Sequence, residues 1–192
     1  MKRWSARVLN RISTLLLLSG LFLVPDIVAS RSNGGEQESR DYRNRELAFK
    51  YPAGFCVLVE DQGATIRVGP RTPSAYWEQS ITIRKLKKNA ECDVPQDNSP
   101  DPQKNRQIAG QLAYAYCSEA ALRESKQEGY LMKEGAFCWN FELIRKERSD
   151  RKGALPEREM KRLKDQGDRD WKTVEAAFKL ILDSFAFVTS QR

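Results

Sequence analysis

The sequence predicts an α+β domain in which antiparallel strands come first and an amphipathic helix comes last. Two observations carry this reading. Between Leu47 and Leu143, short runs of alternating apolar and polar residues are separated by glycine, proline and other turn formers, the pattern of half-buried strands. Near the end, Trp171, Val174, Phe178, Ile181 and Phe185 recur at intervals of three and four residues, the stripe of one helix face.

The chain opens with Lys2, Arg3, Arg7 and Arg11, and the largely apolar run 12–24 follows and stops at Pro25-Asp26. A charged segment ahead of an apolar one is the order of an export signal, and the run falls short of the roughly 20 residues a bilayer-spanning helix needs. Residues 1–30 therefore read as a signal peptide cleaved near Ala29 or Ser30, with an uncleaved N-terminal anchor as the alternative. The expected location is the periplasm or the exterior. No cysteine lies near the cut for lipidation, and the paired arginines of a twin-arginine signal are missing. Residues 31–45 combine Gly34-Gly35 with many charges and have little to bury, so they read as a flexible leader. Residues 46–192 are expected to form a single domain with a charged insertion at 145–170.

Within that domain, 47–52 is a short extended run ended by Pro52, and 55–59 is β-rich; around Gly54 the two read as a hairpin pair. In 64–68, Ile66 and Val68 share a face before Gly69-Pro70 closes the run. In 80–84, Ile81 and Ile83 point inward and Thr82 and Arg84 toward solvent, which predicts a sheet with one dry and one wet face. Residues 89–106, with Pro95, Pro100 and Pro102, have loop composition and are tied to the body through Cys92. In 108–116, Leu112, Tyr114 and Tyr116 share one face and Ala113 and Ala115 the other, as in a strand covered closely on its alanine side.

Residues 118–127 fit either a helical turn or a long hairpin excursion. Next, 130–133, the turn Glu134-Gly135 and 137–143 read as a hairpin, with Phe137, Trp139, Phe141 and Leu143 on one face. Residues 145–172 are dense in charge of both signs. They are either a docking surface for an acidic partner or, the favoured reading, a solvated connector in which 157–164 can be helical. Asp170 is then the N-cap of the last helix, and 185–188 leaves it as a final short strand.

All four cysteines, Cys56, Cys92, Cys117 and Cys138, follow the signal, and an even count in an exported chain reads as a disulfide framework. Their spacing contains no Cys-x-x-Cys pair, and the chain has no histidine, so no zinc ribbon or thioredoxin-like motif can be built locally. Of the three pairings, Cys92 with Cys117 and Cys56 with Cys138 is preferred, because Cys117 ends one strand while Cys138 begins a strand two further along a meander.

The formal charge of +7 falls to about +4 once residues 1–30 are removed, a mildly basic surface that does not mark a nucleic-acid binder. Without histidine there is no Ser-His-Asp or Cys-His triad and no His-ligated metal site. No Gly-x-Gly-x-x-Gly or Gly-x-x-x-x-Gly-Lys run cradles a phosphate. Acids such as Glu60, Asp61 and Glu142 lie beside strands, where a solvated charge is the commoner fate. One basic cluster stands out, Arg84, Lys85, Lys87 and Lys88. It reads either as an anionic contact for lipid headgroups, cell-wall polymer or an acidic protein, or, the favoured reading, as a solubilising strand end.

Three segments in order, 49–55 (Phe-Lys-Tyr-Pro-Ala-Gly-Phe), 108–113 (Ile-Ala-Gly-Gln-Leu-Ala) and 178–185 (Phe-Lys-Leu-Ile-Leu-Asp-Ser-Phe), resemble the arrangement in PsbP-like proteins. The resemblance covers about residues 45–190. It implies a central antiparallel β-sheet flanked by helices and a non-catalytic role in binding or assisting another protein. The family includes extrinsic accessory proteins of photosystem II, exported bacterial proteins and, on a related fold, a Ran-binding nuclear-import factor. The absence of histidine and the four cysteines set this chain apart from the photosynthetic members, so no functional residue is carried over. The expectation is an accessory or binding protein without cofactor or metal, acting on another exported or membrane protein, with a membrane surface as a weaker alternative. A carboxylate-dependent hydrolase and a thiol-active protein are the competing readings.

Overall fold

The computed structural model describes residues 38–87, 93, 98–120, 125–148 and 155–188, all within one compact unit, Glu36–Arg192. The expected signal peptide, residues 1–30, lies outside the described residues, as do 31–37, Lys88 and Cys92.

In chain order the strands are β1 (Ser39–Arg43), β2 (Leu47–Pro52), β3 (Phe55–Glu60), β4 (Thr65–Pro70), β5 (Trp77–Lys87), β6 (Ser99–Pro100), β7 (Arg106–Ile108), β8 (Gln111–Ala120), β9 (Ser125–Glu134) and β10 (Phe137–Glu147). The helix α1 (Glu157–Ser184) and the short strand β11 (Ala186–Phe187) follow. The large sheet runs β3-β4-β5-β10-β9-β8-β6, with β7 also paired to β8, and a small sheet runs β1-β2-β11. All of these pairings are antiparallel. Of the segment 118–127, residues 118–120 and 125–127 are paired strands, Ala120 opposite Ser125, as the hairpin alternative has it; 121–124 lie outside the described residues.

The expected leader does not stay free along its whole length. Its last residues form β1, in register with β2 from Ser39 opposite Pro52 to Arg43 opposite Ala48. The apolar surface that makes this worthwhile is Tyr42, stacked on Phe49 with ring centres 4.9 Å apart. Nor are β2 and β3 a hairpin. The Gly54 carbonyl already accepts from the Arg71 amide at 3.0 Å, so β3 pairs with β4, while β2 joins the small sheet.

The inner face of the large sheet presents Ile66, Val68, Ile81, Ile83, Phe141 and Leu143 to Leu47 and Phe49 of β2 and to the α1 stripe Trp171, Val174, Phe178 and Ile181. Ala113 and Ala115 lie on this covered side and are buried, which is why that strand face needs small residues. Among the described residues α1 is the single α-helix, so the sheet is not flanked by several. The helix and the small sheet together cover its inner face.

Of the charged stretch 145–172, Arg145–Glu147 end β10, and the helix allowed at 157–164 is present as the start of α1, which runs on without a break through Trp171; Asp170 therefore lies inside the helix, whose N-cap is Pro156. Glu157 and Glu159 in the first turn suit the positive end of the helix dipole. The stripe continues upstream through Gly167, where a Cβ would lie 2.6 Å from Trp77 Cδ1. Trp77 fills the space that a side chain on the helix would otherwise take. Its Nε1 donates to Asp168 Oδ1 at 2.9 Å, and the Arg145 guanidinium stacks 4.5 Å from its ring centre.

The outer face is not simply wet. Thr82 is 1% exposed, Asn140 3% and Glu142 4%, so Thr82 and Glu142 are not the solvated positions expected. Strand alternation places Tyr116, Leu131 and Cys138 on this face too, where they form a second apolar cluster with Leu86. Asn140 accepts from the Tyr116 hydroxyl and Glu142 Oε1 from Gln127, the partners that buried polar groups need.

Candidate functional site

Strand alternation divides the basic cluster. Arg84 points to the outer face, where its Nη2 lies 3.3 Å from Glu142 Oε2, close enough for ion pairing although not aligned as a hydrogen bond. Lys85 points inward. Lys87 ends β5 opposite Phe137, and Lys88 is outside the described residues. Arg84 and Lys85 therefore cannot present one basic patch to an anion, because successive residues of a strand face opposite ways.

The expected disulfide pairs are not formed. Cys56 and Cys117 are free thiols, whereas Cys138 is disulfide-bonded. Cys56 on β3 and Cys138 on β10 are three strands apart, about 14 Å at about 4.8 Å per strand, beyond the roughly 7 Å that a bridge allows between Cα atoms. Cys117 and Cys138 stand on opposite faces, five residues apart along the register set by β9. The meander expectation that kept these two apart agrees with that register. The Cys56 thiol instead donates to the Gly69 carbonyl at 3.6 Å.

A cleft of about 670 Å³ lies among the described residues between the β1–β2 turn, the β3–β4 turn and the adjoining ends of β5 and β10. Two tight turns build its rim. Between β1 and β2, Asn44 Oδ1 accepts from the amides of Glu46 at 2.8 Å and Leu47 at 2.9 Å, the local trick by which asparagine closes a turn. This holds Glu46 over the end of β5. Between β3 and β4, Asp61 and Gln62 both adopt positive φ, 50° and 56°, ahead of Gly63 at 96°. Left-handed backbone at two consecutive non-glycine residues is costly and persists only where neighbours impose it. Here the Thr65 hydroxyl donates to Asp61 Oδ2 at 3.0 Å, and the Ala64 amide bonds the Asp61 carbonyl at 3.1 Å.

Inside the cleft, Lys85 Nζ lies 2.6 Å from Glu46 Oε1 and 4.0 Å from the centre of the Phe137 ring. The ammonium thus ties the turn of one sheet to an aromatic ring of the other. Phe137, although it shares a face with the core residues Trp139 and Phe141, remains 39% exposed. With Val59 and Tyr42 it gives the cleft an apolar lining beside its charges. Sequence reasoning passed over this site, and its signals were the turn-forming Asn44 and the run Asp61-Gln62-Gly63.

The other notable cluster is polar and closed. The Tyr116 hydroxyl donates to Asn140 Oδ1 at 2.7 Å, with Glu142 Oε1 3.5 Å away, and Gln127 Nε2 donates to the same Glu142 oxygen at 2.6 Å. Burial pushes the Tyr116 phenol up from its ordinary value, and the Glu142 carboxylate adds to the shift. Among the described residues no group of three or more His, Cys, Asp or Glu side chains could hold a metal ion, and no helix is long and apolar enough to cross a membrane.

No protein-family model matches the chain, and no curated protein does. Solved structures are similar in the path of the chain. One is the Ran-binding protein Mog1p of Saccharomyces cerevisiae, with TM-score 0.48 and 9% identity over 80% of this chain and 97% of that one. Another is the cyanobacterial PsbP of Synechocystis sp. PCC 6803, with TM-score 0.41 and 12% identity over 84% and 99%. A third is LpqN, involved in cell envelope biogenesis of Mycobacterium tuberculosis, with TM-score 0.42 and 9% identity over 79% and 91%.

Proposed function

We propose that this chain is a non-catalytic, exported binding protein that engages another exported or envelope protein through the cleft between its two sheets. The observation that carries this is the pairing, in one cleft, of an exposed aromatic ring, Phe137, with two turns, one fixed by the Asn44 side chain and one held in left-handed backbone at Asp61 and Gln62. An apolar floor with a structured polar rim is the composition of a contact site. The two acids of the rim are already engaged, Glu46 by Lys85 and Asp61 by the Thr65 hydroxyl. That weighs against the carboxylate hydrolase, which needs a free facing pair. The two free thiols stand on strands five apart in the sheet, β3 and β8, too far to act as one dithiol.

A photoreactive phenylalanine analogue placed at position 137 and activated in intact envelopes tests the proposal. A discrete protein adduct that disappears when Lys85→Glu sets a second carboxylate against Glu46 in the cleft is the expected result. The same adducts from a probe at Lys161, on the exposed side of α1, would overturn it.

A further inference from the structure

From the open edge of the large sheet we infer a second interaction surface, at which β3 pairs antiparallel with β3 of a second copy of this chain about a two-fold axis at Leu58. Among the described residues β3 has a partner on one side only, β4, and Leu58 and Val59 are 57% and 47% exposed. It carries few of the devices that usually blunt an edge strand, since Phe-Cys-Val-Leu-Val-Glu holds no proline and no lysine, its one charge, Glu60, is paired with Arg67 at 2.8 Å, and its register with β4 runs from Phe55–Pro70 to Glu60–Thr65 without a bulge.

The backbone fixes which groups are free. The Arg71 amide bonds the Gly54 carbonyl, so the even-numbered residues of β3 turn their amides and carbonyls toward β4, and Phe55, Val57 and Val59 turn theirs outward. Arg71 Nε already occupies the Phe55 carbonyl at 3.3 Å. That leaves the amides and carbonyls of Val57 and Val59 as the central open groups of the edge. A two-fold axis through Leu58 sets Val57 opposite Val59 of the second copy, and the reverse, and these groups then bond in full. A register centred on Val57 would set that residue against itself and leave Val59 opposite Phe55, whose carbonyl is taken. Antiparallel pairing about an axis normal to the sheet keeps each side chain on its own face, so a centre between two residues is excluded.

The chosen register is complementary in its side chains as well. Leu58 meets Leu58 of the second copy at the close spacing of a non-hydrogen-bonded pair, removing two exposed apolar groups from water. This surface goes beyond the proposed cleft and does not require it.

Sedimentation equilibrium of the mature chain provides the test, using wild type, Leu58→Lys, Leu58→Glu and an equimolar mixture of the two variants, with Tyr114→Lys as a control on the distant exposed strand β8. Wild type and the control are expected to show a concentration-dependent dimer. Each Leu58 variant is expected to lose it through like charges set opposite one another, and the mixture to recover it as a heterodimer. A monomeric wild type, or a dimer that survives in both single variants, would overturn the inference. So would a mixture that stays monomeric, because Leu58 opposes itself only in this register. Cross-linking from position 137 reads the cleft separately, so either proposal can fail alone.

Discussion

The Tyr116 ring occupies the space that a side chain on Gly129 would need. Gly129 lies opposite Tyr116 in the β8–β9 register and opposite Glu142 in the β9–β10 register, and a Cβ built on it would lie 2.5 Å from Tyr116 Cζ and 2.5 Å from the Phe141 carbonyl oxygen. The bare strand lets the phenol pass over β9 and reach Asn140 on β10. Gly129→Ala is therefore expected to destabilise the protein by about 1–3 kcal/mol, the usual cost of overpacking, because one of the obstructing atoms is backbone and cannot swing away. Gly69→Ala, with nothing within 4 Å of its Cβ, is the control and should stay within about 0.5 kcal/mol. Denaturant midpoints of the two variants check this.

Tyr116 also sets an alkaline limit on stability. Burial and then the Glu142 carboxylate raise its folded-state pKa, and burial raises that of Tyr130. An unfolded tyrosine releases its proton near pH 10, so below that pH both states hold the proton and this stabilising difference is fully present. Above about pH 10 the unfolded chain binds fewer protons than the folded one, and stability falls by up to about 1.4 kcal/mol per pH unit for each such group. Tyr116→Phe should start less stable, by about 1 kcal/mol for its lost hydrogen bond. Its stability should decline less steeply than wild type between pH 10 and 11. Equal slopes in urea titrations at those pH values would contradict the assignment.

The strands of the meander were legible because a two-residue period survives wherever one face is packed, as at Ile81 and Ile83 or Trp139 and Phe141. The same alternation misled at Thr82 and Glu142. A polar residue on the second face reads as solvated until its hydrogen-bond partner is known, and Gln127, which bonds Glu142, is distant in sequence. The continuity of α1 from 157–164 into Trp171 was hidden at Gly167, a gap in the helical stripe that Trp77, ninety residues earlier, explains. The cleft escaped for a similar reason. Phe137 looks like one more core aromatic, and its exposure follows from where the β1–β2 turn stops, which no local pattern records.

With Cys56 and Cys117 free and Cys138 bridged, Cys92 is the remaining cysteine in the sequence. Cys138 lies opposite Leu86 in the β5–β10 register, and β5 ends one residue later, so a short segment leads from that point to Cys92. Peptide mapping of unreduced protein is expected to find Cys92 linked to Cys138, with Cys56 alkylated in the native state and Cys117 after unfolding. A linked Cys56–Cys138 or Cys92–Cys117 peptide would restore the original pairing. Loss of the bridge in Cys138→Ser should cost about 2–4 kcal/mol.

Two opposing effects meet at Gly167, and their sizes decide the outcome of replacing it. Alanine is the better helix former by about 1 kcal/mol, which alone would stabilise α1. Against that, the new methyl would lie 2.6 Å from Trp77 Cδ1 and 3.1 Å from Ser74 Oγ, and Trp77 has little freedom to yield. It is buried, its Nε1 is held by Asp168 and its ring face is covered by Arg145. Overpacking at about 1–3 kcal/mol therefore exceeds the gain in propensity, and Gly167→Ala is expected to be net destabilising by about 1 kcal/mol. The sign should reverse in a Trp77→Leu background, where the obstructing ring is gone and the helix-forming advantage remains. A double-mutant cycle by thermal or urea unfolding measures the coupling directly. An additive cycle would mean that Trp77 is not the residue that requires glycine in the middle of the helix.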